Sequence, residues 1–186
     1  MASASAVRRV LFWMLVILLL LYVGLVGLRI LWPIGLQDIV AQEAEVYSLD
    51  PGLVGAVIYA ESRFKTDAVS SRGALGLMQI MPETGAWIAE QMGLPRPTER
   101  ELLDPDRNIR FGTWYLRYLF DRFRDVETAL RAYNAGPAAA ERWRDQRANP
   151  YPETAAYVRR VLFARPIYRF YFHVPRLLRI VPPVFL

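Results

Sequence analysis

The 186-residue sequence contains no cysteine and only one histidine, His173. Without cysteine the chain forms no disulfide and has no thiolate for metal binding, nucleophilic catalysis or lipid attachment. One histidine cannot supply a cluster of imidazole ligands, and its place near the C-terminus favours a structural or exposed role. No glycine-rich phosphate-binding motif is present. We therefore expect no metal and no cofactor, and any chemistry must come from carboxylates, hydroxyls and amides.

Convincing strands and strong charge are also lacking. No run alternates polar and apolar residues as a half-buried strand does, which predicts a mainly α domain. The formal net charge is +5. Setting aside Arg8, Arg9 and Arg29, which flank an apolar run, leaves only a slight positive excess. That excess is too small to indicate nucleic acid as a partner.

A long run without charged residues extends from Val10 to Leu28. At about 1.5 Å per residue it crosses nearly all of the roughly 30 Å hydrocarbon core of a bilayer. We predict one transmembrane helix over residues 10–32, after a short cytoplasmic segment of residues 1–9. Arg8 and Arg9 precede the run, so the positive-inside rule places the domain that follows outside the cell membrane. A cleaved signal peptide is the alternative, but the run ends without a small-x-small cleavage site.

Pro33 and Gly35 end this helix, and the domain that follows is assigned to residues 37–163. Its apolar periodicity, helix caps and glycine stops predict seven helices, whereas Gly73–Met81 is too rich in glycine for a regular helix. The predicted helices are Ile39–Tyr47, Pro51–Ser62, Pro82–Met92, Asn108–Phe123, Val126–Ala135, Ala138–Arg144 and Glu153–Phe163.

Residues 164–186 form a C-terminal tail in which arginine alternates with aromatic and aliphatic residues, interrupted by four prolines. Basic and aromatic residues favour the membrane interface, so the tail is one candidate for lying on the membrane surface. The other interpretation is that it packs on the domain and covers it.

Glu61 is the carboxylate most suited to catalysis. It lies on the same helical stripe as Val54, Val57 and Ile58, so it should face the interior. Burial raises the pKa of a carboxyl group, and a proton held near neutral pH suits a general acid that protonates a glycosidic oxygen. An interior glutamate satisfied by a capping amide, or by Arg63, is the structural alternative.

Glu61 begins an ordered set of motifs within the segment from about Ile39 to Val161. The set resembles the signature of the soluble-lytic-transglycosylase (SLT) family of lysozyme-like enzymes. In chain order the motifs are Glu61-Ser62-x-Phe64, Ala68-Val69-Ser70, Gly73-Ala74-x-Gly76-Leu77-Met78-Gln79-Ile80-Met81-Pro82-x-Thr84, Asp104-Pro105, Asn108-Ile109, Gly112, Tyr115-Leu116, Ala132-Tyr133-Asn134-Ala135-Gly136 and Glu153-Thr154-x-x-Tyr157-Val158.

The resemblance implies a lysozyme-like helical fold with at most a small β element, and a set of site residues. Glu61 is expected to be the catalytic acid and base. Ser70 and Gln79 are expected near the N-acetylmuramyl group, while Met78, Tyr133 and Asn134 shape the sugar site and Tyr157 reaches it from the closing helix. Taken alone, Met78 and Tyr133 could equally be core residues, and Ser70 a turn residue.

By the same resemblance, the substrate is the glycan strand of peptidoglycan, cleaved at the β-1,4 bond between N-acetylmuramic acid and N-acetylglucosamine with a 1,6-anhydro product. The first alternative is a lysozyme, in which a second carboxylate positions water. Asp67, which departs from the family pattern together with Thr66, is one candidate for it, and Asp104 and Asp106 are others. The second alternative is a glycan-binding scaffold without catalysis.

Overall fold

The computed structural model describes residues 4–31 and 36–173. The regular elements of these two segments are α-helices, which confirms the prediction of a mainly α chain. In chain order they are α1 (Ala4–Leu31), α2 (Gln37–Val46), α3 (Pro51–Ser62), α4 (Pro82–Gln91), α5 (Glu99–Leu103), α6 (Pro105–Phe123), α7 (Val126–Ala135), α8 (Pro137–Asp145) and α9 (Pro152–His173).

Helix α1 contains the predicted apolar segment. Within the described part of the chain it is the one helix long and apolar enough to cross a membrane, with a qualifying stretch at Ala6–Gly24. Nearly all of its large side chains from Val10 to Val23 are exposed rather than packed on the domain. A bilayer is the environment in which such a surface is stable, because water does not solvate it.

Helix α6 begins three residues earlier than the sequence predicted, at Pro105 instead of Asn108. Asp104 caps it by accepting a 3.0 Å hydrogen bond from the backbone N–H of Arg107. Proline suits the first helical position, where its missing N–H leaves no bond unmade. The Asp-Pro pair is the same start signal that opens α3 at Asp50-Pro51, where the Asp50 carboxylate accepts from the N–H of Gly52 at 3.0 Å.

The short helix α5 was not predicted from the sequence. It lies in the segment treated as a proline-bearing loop and is held by a capping box between Thr98 and Glu101. The Thr98 hydroxyl accepts from the N–H of Glu101 at 3.3 Å, and the Glu101 carboxylate accepts from the N–H of Thr98 at 2.8 Å. These two reciprocal hydrogen bonds stabilise a single helical turn. The turn is too short for an apolar period to show it in the sequence.

Helix α9 continues to His173, so the predicted end at Phe163 and the separate tail from residue 164 are wrong for residues 164–173. The helix passes through Pro166 and buries Tyr168 completely. These ten residues pack on the domain, as the second interpretation of the tail predicted. Residues 174–186 lie outside the described residues.

Helices α3 and α9 approach each other closely near the start of α3. A Cβ added at Gly52 would lie 2.7 Å from backbone atoms of Arg169, so only glycine fits there. Arg165 reaches the cap of α3, its Nε lying 2.9 Å from a carboxylate oxygen of Asp50 in a half-buried ion pair. The second half of α9 is therefore fixed against the first turn of α3.

The segment between α3 and α4 is irregular, as its glycines predicted, with isolated antiparallel bridges of Leu75 to Val69 and to Ile80. The fully buried Asn108 of α6 holds it in place. The Asn108 amide oxygen accepts from the N–H of Met78 at 2.7 Å, and its NH₂ group donates to the carbonyl oxygens of Leu75 at 2.9 Å and Leu102 at 2.6 Å. This loop lies beside the end of α3 and frames the candidate site.

Candidate active site

Glu61 lies one residue before the end of α3 and is only partly exposed. Burial raises the pKa of its carboxyl to about 7, while the Tyr157 hydroxyl and the positive charge of Arg160 lower it by smaller amounts. Within the described residues Glu61 forms no ion pair, and Arg63 instead places its guanidinium 6.0 Å from the ring centroid of Tyr59. The structure therefore does not support Arg63 as the partner that satisfies Glu61.

Two phenols, the half-buried Tyr133 on α7 and the buried Tyr157 on α9, lie close enough to Glu61 for its charge to affect them. The pKa of Tyr133 and that of Tyr157 are both raised well above the usual value, first by burial and then by the carboxylate of Glu61. Both hydroxyls therefore stay protonated and act as donors. The structure thus brings together Glu61, Tyr133 and Tyr157 from three helices.

The two hydroxyls differ in their hydrogen bonds. Tyr133 donates to the carbonyl oxygen of Met78 at 2.8 Å, which ties α7 to the loop before α4. The Tyr157 hydroxyl faces Glu61 but completes no hydrogen bond of normal geometry with the described residues, although it is fully buried. Its interaction with the carboxylate is what lowers the pKa of Glu61.

Met78 lies in the core rather than on the site surface. Its side chain is completely buried and packs against Gly112 of α6, where a Cβ would come within 2.6 Å of Met78 Cβ. Its sulfur accepts a 3.8 Å hydrogen bond from the Thr113 hydroxyl. Met78 therefore acts on the site through its carbonyl, which fixes Tyr133, and its side chain follows the core alternative.

Gln79 adopts a left-handed backbone conformation with φ of 51°, which is uncommon for a residue with a side chain. Its amide nitrogen donates to the carbonyl oxygens of Gly76 at 2.8 Å and of Ala68 at 3.1 Å. Two carbonyl acceptors determine which way the amide points, because only its nitrogen can donate to them. Gln79 thus braces the loop in addition to its predicted place at the site.

Ser70 serves as a turn residue. Its hydroxyl oxygen accepts from the backbone N–H groups of Ala74 at 2.9 Å and Arg72 at 3.3 Å. Its own O–H is still available as a donor, because a hydroxyl can donate and accept at once. Asn134 follows Tyr133 on α7 and is exposed.

The three carboxylates considered for a lysozyme mechanism have different surroundings. Asp104 is committed to capping α6, whereas Asp67 and Asp106 are exposed. The side chains that most alter the pKa of Glu61 are a phenol and a guanidinium, Tyr157 and Arg160, and not a carboxylate. Among the described residues no three acidic or histidine side chains form a group that could bind a metal ion.

Asn108 and Arg160 were not predicted as site residues from the sequence. Asn108 was part of the family-like motifs, and a polar residue next to Ile109 on the apolar face of α6 is the signal of its buried structural role. Arg160 lies one helical turn after Tyr157, so spacing alone would have placed it near the same point.

Residues 38–155 match the family model of the transglycosylase SLT domain. The chain is 30% identical over 153 residues to the soluble lytic murein transglycosylase of Escherichia coli, covering 75% of this chain and 24% of that protein. It is 38% identical over 93 residues to membrane-bound lytic murein transglycosylase E of Buchnera aphidicola, covering 49% of this chain and 42% of that protein.

Among solved structures, an inactive mutant of the lytic transglycosylase Slt from Pseudomonas aeruginosa matches with a TM-score of 0.73 and 32% identity, over 80% of this chain and 26% of that one. This likeness confirms the predicted lysozyme-like fold. The chain spans about a quarter of the length of the soluble relatives. On the family match and these relatives together, the chain belongs to the transglycosylase SLT domain family.

Proposed function

We propose that this protein is a lytic transglycosylase that cleaves the β-1,4 bond between N-acetylmuramic acid and N-acetylglucosamine in peptidoglycan. The observation that carries the proposal is the carboxyl of Glu61, whose pKa burial raises to about 7. Such a group gives up a proton and takes one back near neutral pH, as an acid that later acts as a base must do. The relatives named above are murein transglycosylases, and the inactive Pseudomonas mutant carries glutamine in place of a glutamate.

In the proposed reaction, protonated Glu61 donates to the glycosidic oxygen as the bond to the anomeric carbon breaks. The acetamido carbonyl of the muramyl residue stabilises the positive charge that develops there, so no second enzymic carboxylate is required. The Glu61 carboxylate then removes the proton of the 6-hydroxyl, whose oxygen attacks the anomeric carbon and closes the 1,6-anhydro ring. The proton lost in the first step is regained in the second, and no water is consumed.

The phenols and the loop have supporting roles in this proposal. Tyr157, a donor beside Glu61 without a hydrogen bond of normal geometry to the described residues, binds the carboxylate after it has given up its proton. Tyr133 is fixed by the Met78 carbonyl and forms one wall of the sugar site. Ser70 and Gln79 are proposed to lie near the N-acetylmuramyl group, with Ser70 donating through its hydroxyl, and Asn134 is proposed to help shape the sugar site.

We further propose that α1 is a membrane anchor with its N-terminus in the cytoplasm, so that the domain of residues 37–163, with its α9 extension, works on glycan near the outer face of the membrane. Arg8 and Arg9 before the apolar stretch support this orientation, and relatives described as membrane-bound support the location. Since the chain has no cysteine, a single Glu99→Cys substitution permits a direct test. An impermeant maleimide should label it in intact spheroplasts, whereas labelling only after lysis would reverse the orientation.

The proposed reaction is tested by mass analysis of the fragments that the full chain, in detergent micelles, releases from purified peptidoglycan. We expect muramyl ends that lack one water, and a loss of activity of roughly 10²-fold to 10⁴-fold or more in Glu61→Gln. Asp67→Asn should retain most activity. Ordinary reducing ends would instead identify a lysozyme, and full activity in Glu61→Gln would remove Glu61 from its role.

A further inference from the structure

A groove of about 440 Å³ lies on the outer side of α4 and the segment that follows it, outside the set of residues around Glu61. Its volume is within the range of small-ligand sites. One aromatic ring, two carboxylates, a guanidinium and two small or aliphatic side chains form its lining. They belong to Glu83, Ala86, Trp87, Glu90, Leu94 and Arg96.

The side chain of Trp87, which belongs to α4, packs against three aromatic rings of α6. Its ring centroid lies 5.0 Å from that of Tyr118, 5.6 Å from that of Trp114 and 6.0 Å from that of Tyr115, all in edge-on contacts. The three partners come from one face of α6, and the Trp114 and Tyr118 rings are nearly parallel. Trp87 nevertheless stays partly exposed. A fixed and partly exposed indole is a preorganised surface for a flat apolar ligand face.

The groove is connected to the site by a continuous row of rings. Tyr133, beside Glu61, lies 5.6 Å from Tyr115, and Tyr115 in turn contacts Trp87. Each of these three side chains is partly exposed. An extended ligand that starts at Glu61 and follows this row therefore reaches the groove without leaving aromatic surface.

The chemistry of the groove suits a pyranose. The C–H face of a sugar ring packs on the electron-rich face of an indole, and carboxylates accept short hydrogen bonds from its hydroxyl groups. Glu90 is exposed at the groove, and the Arg96–Glu83 ion pair at 2.6 Å forms its rim. With side chains 66% and 83% exposed, that pair adds little stability, so its groups can exchange partners for a ligand.

We propose that this groove is an additional sugar-binding subsite, which takes a pyranose residue of the same glycan strand at a distance of several sugars from the bond held at Glu61. The inference rests on the proposed function, because it takes the strand from that site. Its consequence is a preference for long strands over short ones.

The test uses the full chain in detergent micelles with Glu61→Gln, which prevents turnover. Calorimetric titration measures Kd for a ladder of peptide-free glycan strands from the tetrasaccharide upward. Trp87→Leu and Glu90→Gln are added to this parent, with Glu99→Gln on α5 as the matched exposed-carboxylate control. In the parent and the control we expect affinity to rise roughly threefold to tenfold at the strand length that first reaches the groove. We call this rise the length step. Trp87→Leu should lose this step and Glu90→Gln should weaken it, while both bind the tetrasaccharide like the parent.

Three results would overturn the subsite. They are a rise of affinity with length that survives in both variants, an equal loss of affinity at every length, and no rise of affinity with length for these peptide-free strands. The unchanged tetrasaccharide affinity also shows that Trp87→Leu has folded. Cleavage of peptidoglycan by the chain with Glu61 intact distinguishes the two proposals. Anhydro products without a length step overturn the subsite alone, whereas a length step without anhydro products overturns the proposed reaction alone.

Discussion

The two ends of helix α3 are built in opposite ways. At its beginning, Gly52 contacts the backbone of Arg169 and Asp50 both caps the helix and pairs with Arg165. At its other end, Glu61 is desolvated and the nearby Tyr157 hydroxyl lacks a hydrogen bond of normal geometry among the described residues. Both ends face the same helix, α9. The comparison indicates that close packing at one end fixes the pair of helices, so that the other end can hold an unfavourable carboxyl in place.

The largest effect should come from breaking the packed end with Gly52→Ala. The new Cβ would lie 2.7 Å from backbone atoms of Arg169, which cannot turn aside as a side chain can. We expect a loss of about 3 kcal/mol in the free energy of unfolding. Gly55→Ala is the matched control, because its Cβ would meet only ring atoms of Phe172 and Tyr168 at 3.1–3.3 Å. Denaturant unfolding of both should separate them, and equal losses would contradict the close contact at Gly52.

The open end should make stability depend on pH. The pKa of Glu61 is about 7 in the folded chain against its ordinary value of 4.5, so the folded state binds this proton more tightly than the unfolded one. Its contribution is fully present below pH 4.5 and is lost as the pH rises to 7. Since each pKa unit corresponds to about 1.4 kcal/mol and the side chain is partly exposed, we expect a loss of about 2 kcal/mol.

Glu61→Gln isolates that contribution. The amide does not titrate, so the difference in unfolding free energy between the chain with Glu61 and the variant should change over this pH interval and become constant above it. A difference that stays constant throughout would mean that the carboxyl titrates near its ordinary pKa.

The smallest effect concerns Tyr157→Phe. The hydroxyl lowers the pKa of Glu61, so its removal should raise that pKa further and move the alkaline limb of the pH–activity profile to higher pH. Stability should change by less than about 0.5 kcal/mol, because the hydroxyl makes no normal hydrogen bond with the described residues that could be lost. A limb that moves to lower pH would show that the hydroxyl does not stabilise the carboxylate.

The sequence predicted most helices of the domain because proline marks the starts of α3, α4 and α8 and apolar spacing marks the buried faces of the helices. Helices α2, α3, α4, α7 and α8 begin and end within two residues of the prediction. The end of α9 was missed because Pro166 normally stops a helix, whereas here the burial of Tyr168 against α3 outweighs the lost hydrogen bond. Local propensity contains no information about that distant contact.

For the site, the position of Glu61 followed from helical spacing, which is local. The roles of Met78 and Asn108 did not, because they depend on which residue of α6 faces the loop. A methionine in the family-like motif suggested contact with sugar, but the missing side chain of Gly112 leaves space that Met78 fills inside the core. Such complementarity between distant segments becomes visible only when both are placed in three dimensions.

The amide of Gln79 has a consequence for which ligands the site can recognise. Both hydrogens of its nitrogen are used by the carbonyl oxygens of Ala68 and Gly76. In the proposed complex only the amide oxygen is left for the glycan, so the group that meets Gln79 must offer an N–H or an O–H. The N–H of an acetamido group meets that requirement, whereas an ester oxygen at the same point would leave the amide oxygen without a hydrogen bond. On that proposal, the hydrogen bonds that hold Gln79 in the loop also restrict which sugar substituents it can bind.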